Sequence, residues 1–141
     1  VREATAQRIL KEGTNFLADS MLPRLLASQT FQQQPDLAEE LRQQICRANP
    51  QGAAAATLGM AQRRDMQPVL PEITCPTLVL VGAEDVISPP AEMRSIAEAI
   101  PNAQFVEIAE AGHLAPLEKP GIVADAFLDF LRREAIRTKS D

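Results

Sequence analysis

Residues 76–82 of the chain read PTLVLVG, and this stretch decides how the rest must be arranged. An unbroken run of β-branched and aliphatic residues between a proline and a glycine is typical of a β-strand covered on both faces. Strands of this kind occur in parallel sheets that are flanked by helices. The stretch therefore predicts an α/β fold.

The chain after this strand alternates between helical and extended patterns. Ser88 and Pro89 are typical of a helix N-cap and of the first helical position. Residues 104–108, QFVEI, predict a second strand, and a loop at residues 109–119 leads to a final helix that begins at Pro120. A short strand–helix–strand connection places the two strands parallel in the right-handed sense.

Residues 1–66 differ in composition and predict helices only. Apolar residues recur there at steps of three and four, with Gly13 and Pro23 as predicted interruptions. The Ala-rich residues 52–64 predict one more helix. We therefore divide the chain into a helical region, residues 1–66, and a strand–helix–strand–helix part of a core, residues 67–141.

Two parallel strands cannot cover their own faces or their outer edges. The first strand is apolar along almost its whole length, so it requires cover on both faces. The short helices before it would cover only part of one face. We therefore expect the chain to be the C-terminal part of a larger α/β domain, or to obtain the missing strands by self-association.

Charge and hydropathy exclude several classes of partner. The sequence has 14 Lys and Arg against 19 Asp and Glu, a formal net charge of −5, with no basic stripe. Nucleic-acid affinity rests largely on neutralising phosphates, so no nucleic-acid partner is expected. No membrane partner is expected either, because the apolar runs are far shorter than the ~20 residues that span a bilayer.

The two cysteines, Cys46 and Cys75, form neither a disulfide framework nor a metal-binding spacing. We expect both to be buried small hydrophobic residues. This usage favours a reducing, cytoplasmic setting.

The chain has one histidine, His113, so any imidazole chemistry must use it. It follows the second strand, while Glu84 and Asp85 follow the first. Because carboxyl ends of parallel strands meet at one sheet edge, these loops can bring a carboxylate against the imidazole. A carboxylate on one ring nitrogen leaves the other free as a general base. Asp85 is the preferred acid, Glu84 the alternative, and Glu118 is expected to tether the histidine loop or to support the final helix.

Residues 70–131 carry motifs that are similar to the C-terminal end of α/β-hydrolase-fold enzymes. The matching pieces are PTLVLVGxxD, IPNA and AGHLxxxExP. In that family the aspartate is the triad acid and the histidine is the base, so the resemblance implies these catalytic roles for Asp85 and His113. It also implies that residues 1–66 are the helical lid, that small esterases and enol-lactonases are similar proteins, and that no metal or organic cofactor is needed.

The chain departs from this family at the nucleophile, which the family carries on a G-x-S-x-G turn earlier in the sequence. No serine of the chain has glycines two residues away on both sides; the five serines are Ser20, Ser28, Ser88, Ser95 and Ser140. We therefore expect the chain to supply the acid and the base, to lack the nucleophile and to be inactive alone.

The expected reaction of the whole protein is hydrolysis of a small-molecule carboxylic ester or lactone, with Val86 and Leu114 lining the substrate pocket. The resemblance also allows an aspartate nucleophile that opens carbon–halogen bonds or epoxides, carbon–carbon bond hydrolysis, and perhydrolysis. The alternative from another class is a non-catalytic interaction module that recruits a partner through its unpaired strand edge.

Overall fold

The computed structural model describes residues 1–137. Before the first strand lie the helices α1 (Arg2–Glu12), α2 (Asn15–Leu25), α3 (Ser28–Gln33), α4 (Pro35–Arg47) and α5 (Pro50–Ala61), followed by a 3₁₀ helix at Gln67–Glu72. The remaining elements are β1 (Thr77–Gly82), α6 (Pro90–Ala99), β2 (Ala103–Ile108), α7 (Ala115–Glu118) and α8 (Pro120–Arg137). The helical character of residues 1–66 and the strand–helix–strand–helix order after them are confirmed.

The two strands are parallel, as predicted, and their register sets the position of everything at the sheet edge. Val79 is paired with Phe105, and Gly82 is paired with Ile108, so both strands end at the same level. Within residues 1–137 the sheet contains these two strands alone. The loops that follow them therefore start side by side.

The predicted cover of β1 on both faces is only half realised in the described part of the chain. Val79 and Val81 on one face are buried, whereas Leu78 and Leu80 on the other face are half-buried. Leu80 packs against a small cluster centred on Ile108 and Ala111. One face of the strand is thus part of a core, and the other keeps some exposure to solvent.

The helices before β1 have their own apolar clusters. In one, Leu22, Leu26 and Leu41 pack together and Leu114, from beyond β2, packs against them. In another, Ile9 is fully buried between α1 and α5. The first cluster therefore joins the helical region to the loop that carries the histidine.

Proline positions account for two local predictions that are wrong. Ser88 does not cap α6, because Pro89 precedes Pro90 and is held in an extended conformation, which delays the helix to Pro90. Pro23 does not interrupt α2 but lies inside it. Pro23 has no N–H to donate to the Asp19 carbonyl, but α2 continues to Leu25, where the Leu26 N–H donates to the Leu22 carbonyl and both leucines pack in one apolar cluster.

Three smaller predictions are also corrected. The Ala-rich helix starts earlier, at Pro50, because the Asn49 side chain caps it by accepting a hydrogen bond from the Gly52 N–H. The loop before α8 contains the short helix α7. Cys75 is exposed, next to the start of an edge strand, and only Cys46 is half-buried against an apolar cluster.

Gly82 lets the end of β1 approach the loop after β2 closely. A Cβ there would lie 2.1 Å from the Gly112 carbonyl oxygen.

We predict that Gly82→Ala lowers the free energy of unfolding by about 3 kcal/mol, because the end of β1 and the loop after β2 must separate. In the control Gly59→Ala, inside α5, a Cβ meets nothing within 4 Å. Alanine should stabilise that position by about 0.5–1 kcal/mol. Urea unfolding measures both, and an unchanged stability of Gly82→Ala would contradict the close approach.

Candidate active site

The acid loop (residues 83–88) and the base loop (residues 109–114) lie side by side at the carboxyl edge of the sheet. The Ala83 N–H donates to the Ile108 carbonyl over 2.8 Å, and the Glu84 N–H donates to the Ala111 carbonyl over 2.8 Å. These bonds extend the pairing of the strands into the loops. The relative position of the acid loop and the base loop is therefore fixed by backbone contacts.

Asp85 is buried and both of its carboxylate oxygens are hydrogen-bonded. Oδ1 accepts from the N–H groups of Ile87 and Ser88, at 2.8 and 2.9 Å. Oδ2 lies 2.9 Å from Nδ1 of His113. The predicted contact between these two side chains is confirmed by this distance.

The charge state of Asp85 follows from the balance of burial and hydrogen bonding. Burial by itself raises the pKa of this carboxyl group, but hydrogen bonds from Ser88, His113 and Ile87, together with electrostatic attraction to His113, outweigh it. The net result is a pKa below the ordinary aspartate value. The side chain is thus an anion at neutral pH.

The imidazole of His113 is half-buried, with about a third of its side chain exposed (34%). An ionised Asp85 can only accept a hydrogen bond, so Nδ1 carries the proton in this pair. The neutral ring then has its lone pair on Nε2. This arrangement can remove a proton from a group that approaches Nε2, while Asp85 stabilises the imidazolium that forms.

Glu84, the alternative acid, does not face the imidazole. Its Oε2 accepts hydrogen bonds from the backbone N–H and the hydroxyl of Ser28, at 3.2 and 3.1 Å. The structure therefore pairs Asp85 and not Glu84 with His113, and it uses Glu84 to join the acid loop to the start of α3.

An open cavity of about 620 Å³ lies between the acid loop and the helices before β1. Its wall consists of Pro23, Leu26, Ser28, Phe31, Ala83, Glu84, Asp85 and Val86. Val86, expected in the pocket, is exposed there. Leu114 is not part of this wall, since its side chain packs against the Leu22 cluster and its N–H donates to the Leu25 carbonyl.

A second cavity, of about 220 Å³, includes both Asp85 and His113 in its wall. Apart from Ser88 in the acid loop, the other residues around it are apolar and come from β1, α6 and α7, among them Leu80, Met93 and Pro116. The acid–base pair is therefore placed beside an apolar hollow at the edge of the sheet.

No partner for Nε2 is supplied by the part of the chain that the structure describes. Across residues 1–137, no serine hydroxyl or cysteine thiol is hydrogen-bonded to His113. Ser140 lies outside the described residues. The same range contains no group of three or more His, Cys, Asp or Glu side chains that could hold a metal ion, and no helix long and apolar enough to cross a membrane.

Sequence reasoning found the pair but missed the contribution of residues 23–31 to the site. Pro23, Ser28 and Phe31 line the larger cavity, although nothing in their local pattern marks them. Glu118 was expected to tether the histidine loop or to support the final helix. It is buried and accepts hydrogen bonds from three donors, one of which is the Gly112 N–H in the base loop. Its position in the AGHLxxxExP motif was the available signal.

The chain is similar to proteins that are named as esterases or enol-lactonases. It matches 3-oxoadipate enol-lactonase 2 of Acinetobacter baylyi with 26% identity over 118 residues, 84% of this chain and 43% of that protein. A solved thermophilic esterase of Thermogutta terrifontis, with malate bound, superposes with a TM-score of 0.91 and 49% identity, covering 94% of this chain and 48% of that one. The solved enol-lactonase of Burkholderia xenovorans gives 0.83 and 29%, covering 90% and 48%.

The chain spans less than half the length of the curated relatives that it matches. The sequence model of the alpha/beta hydrolase fold matches residues 11–120, which include both strands and the acid–base pair. With a parallel sheet, a carboxylate after β1 and an imidazole after β2, the chain belongs to the alpha/beta hydrolase fold family.

Proposed function

We propose that Asp85 and His113 are the acid and the base of a nucleophile–histidine–aspartate triad that hydrolyses small-molecule carboxylic esters or lactones. The observation that carries this proposal is the 2.9 Å contact between Nδ1 of His113 and Oδ2 of Asp85. Asp85 is itself fixed by two backbone N–H groups, so the ring has one preferred orientation and one preferred tautomer. The esterase and lactonase names of similar proteins support the choice of substrate class.

In the proposed mechanism Nε2 of His113 takes the proton of a nucleophile as it attacks the carbonyl carbon of the substrate. Asp85 stabilises the imidazolium, which then returns the proton to the leaving alcohol. A water molecule repeats the sequence and releases the acid from the enzyme. Because residues 1–141 contain no G-x-S-x-G turn, the nucleophile comes from a segment outside this sequence, and the chain alone is inactive.

The larger cavity is the proposed substrate pocket, and residues 1–66 form its lid. The side chains of Pro23, Leu26 and Phe31 reach the cavity from the lid, and Val86 reaches it from the acid loop. These apolar groups would hold the hydrocarbon part of a small ester or lactone next to Asp85, which lines both this cavity and the smaller one that His113 also lines.

A chimaera tests the role of His113. Joining this chain to the part of the Thermogutta terrifontis esterase that it does not cover would complete the fold. We expect the chimaera to hydrolyse p-nitrophenyl acetate, and His113→Ala to lower kcat by about 10⁴-fold, because the general base is lost. The isolated chain should show no turnover above buffer. If the chimaera turns over the ester and His113→Ala leaves this turnover unchanged, the proposal is contradicted.

The acid is tested in the same chimaera by Asp85→Asn. This change lets the ring adopt the wrong tautomer, so kcat should fall by about 10⁴-fold while the structure is retained. Asp129→Asn is the matched control, because Asp129 is exposed on α8 and forms a surface ion pair with Arg132. An equal effect of the two substitutions would remove Asp85 from the proposed triad.

The proposed role needs Asp85 to be ionised, and the stability of the chain reports on this. The pKa of Asp85 is lower in the folded chain, so its ionised form stabilises the fold above the unfolded pKa of about 3.9. That contribution is lost as the pH falls through the folded value. The difference in free energy of unfolding between wild type and Asp85→Asn should therefore shrink below about pH 4. Urea titrations across this range measure it, and a difference independent of pH would count against an ionised Asp85.

A further inference from the structure

Glu118 is a buried carboxylate that lies outside the acid–base pair. Only 2% of the residue is exposed, and it ends the short helix α7. Its Oε1 accepts a hydrogen bond of 2.8 Å from the Gly112 N–H. Its Oε2 accepts one of 2.7 Å from the Ala27 N–H and a further one from the Thr30 hydroxyl. A buried carboxylate with three protein donors does more than supply negative charge at the start of α8.

These three donors belong to two separate parts of the chain. Gly112 directly precedes His113 in the base loop, whereas Ala27 and Thr30 lie in the lid segment (residues 25–30). A second bond joins the same parts, from the Leu114 N–H to the Leu25 carbonyl at 3.1 Å. The backbone on both sides of His113 is therefore held against the lid segment.

We propose that Glu118 is a positioning residue: it fixes His113 against Asp85 by holding the base loop to the lid segment. Asp85 orients the imidazole through its ring, and Glu118 places the backbone that carries the ring. The seating of the lid segment thus controls the alignment of the base. The consequence for catalysis rests on the proposed function, whereas the positioning itself rests on the hydrogen bonds alone.

The closeness of the two parts supports this coupling. A Cβ on Gly112 would lie 2.7 Å from the Ala27 nitrogen, so the base loop and the lid segment are in direct backbone contact. The acid loop holds the same lid segment through the bonds between Glu84 and Ser28. One stretch of the lid is therefore bound to both loops of the acid–base pair.

A carboxylate is needed at position 118 because all three partners are donors. A glutamine there offers one oxygen and one NH₂ group. Whichever way the amide turns, its NH₂ group faces a backbone N–H, either that of Gly112 or that of Ala27, and leaves it unpaired in a buried place. Glu118→Gln keeps the size of the side chain and breaks one end of the bridge.

The single histidine makes the position of the ring directly measurable. In the ¹H–¹⁵N spectrum of the 141-residue chain, the Nδ1–H signal arises from His113 alone, and its exchange with water reports the bond to Asp85. We expect Glu118→Gln to speed this exchange about tenfold. Thr30→Val, which removes one donor of the three, should give a smaller change. Glu110→Gln, in the same loop but exposed and paired with Lys119, is the matched control and should give none.

The chimaera supplies the second measurement. Glu118→Gln should lower kcat about 100-fold through misplacement of the base, with KM changed by less than about threefold. If Glu118→Gln does not fold, Thr30→Val is measured in its place, and it should also speed His113 exchange and lower kcat. A folded Glu118→Gln whose His113 exchange and kcat match those of Glu110→Gln would overturn the proposal. If Glu118→Gln alters His113 exchange but the chimaera hydrolyses no ester even without this substitution, the positioning role is supported and the proposed function is wrong.

Discussion

The site depends on how closely the end of β1 approaches the loop that follows β2. Gly82 has no side chain, so its backbone lies directly against the carbonyl groups of Ala111 and Gly112. The Glu84 N–H can then reach the Ala111 carbonyl, and the acid loop and the base loop continue the parallel pairing of the strands. Any wider spacing would separate the carboxylate of Asp85 from the imidazole, because a 2.9 Å contact tolerates little displacement.

Two buried carboxylates then use this scaffold in different ways. Asp85 and Glu118 are both almost fully buried, which is unfavourable for charged groups unless every oxygen is hydrogen-bonded. Each meets that condition mainly with backbone N–H groups, which cannot move without unfolding the local loop. In the described residues no buried side-chain oxygen or nitrogen lacks a partner. The two carboxylate side chains are therefore held in place mainly by backbone groups.

The sequence was sufficient to predict the parts that depend on local pattern. The aliphatic run before Gly82 predicted a strand, and parallel pairing with the next strand placed Asp85 and His113 at one edge. It could not identify Ser28 or Phe31, because a residue in α3 reaches a cavity through tertiary packing and not through its own periodicity. Ser88 was misassigned for a different reason, since the second of two adjacent prolines shifts the helix start by restricting the first.

Sequence spacing alone does not decide whether Glu84 or Asp85 faces His113, but the tertiary contacts do. Glu84 and Asp85 are adjacent, and either carboxyl group could face the histidine by sequence alone. The shorter side chain at position 85 is held by the N–H groups of Ile87 and Ser88, which direct its other oxygen to the ring. The longer side chain at position 84 binds Ser28 at the start of α3. Asp85 and Glu84 thus make different contacts, with His113 and with Ser28 respectively. Glu118 binds Ala27 and Thr30, which lie on either side of Ser28 in the chain, so residues 27–30 are hydrogen-bonded to both Glu84 and Glu118.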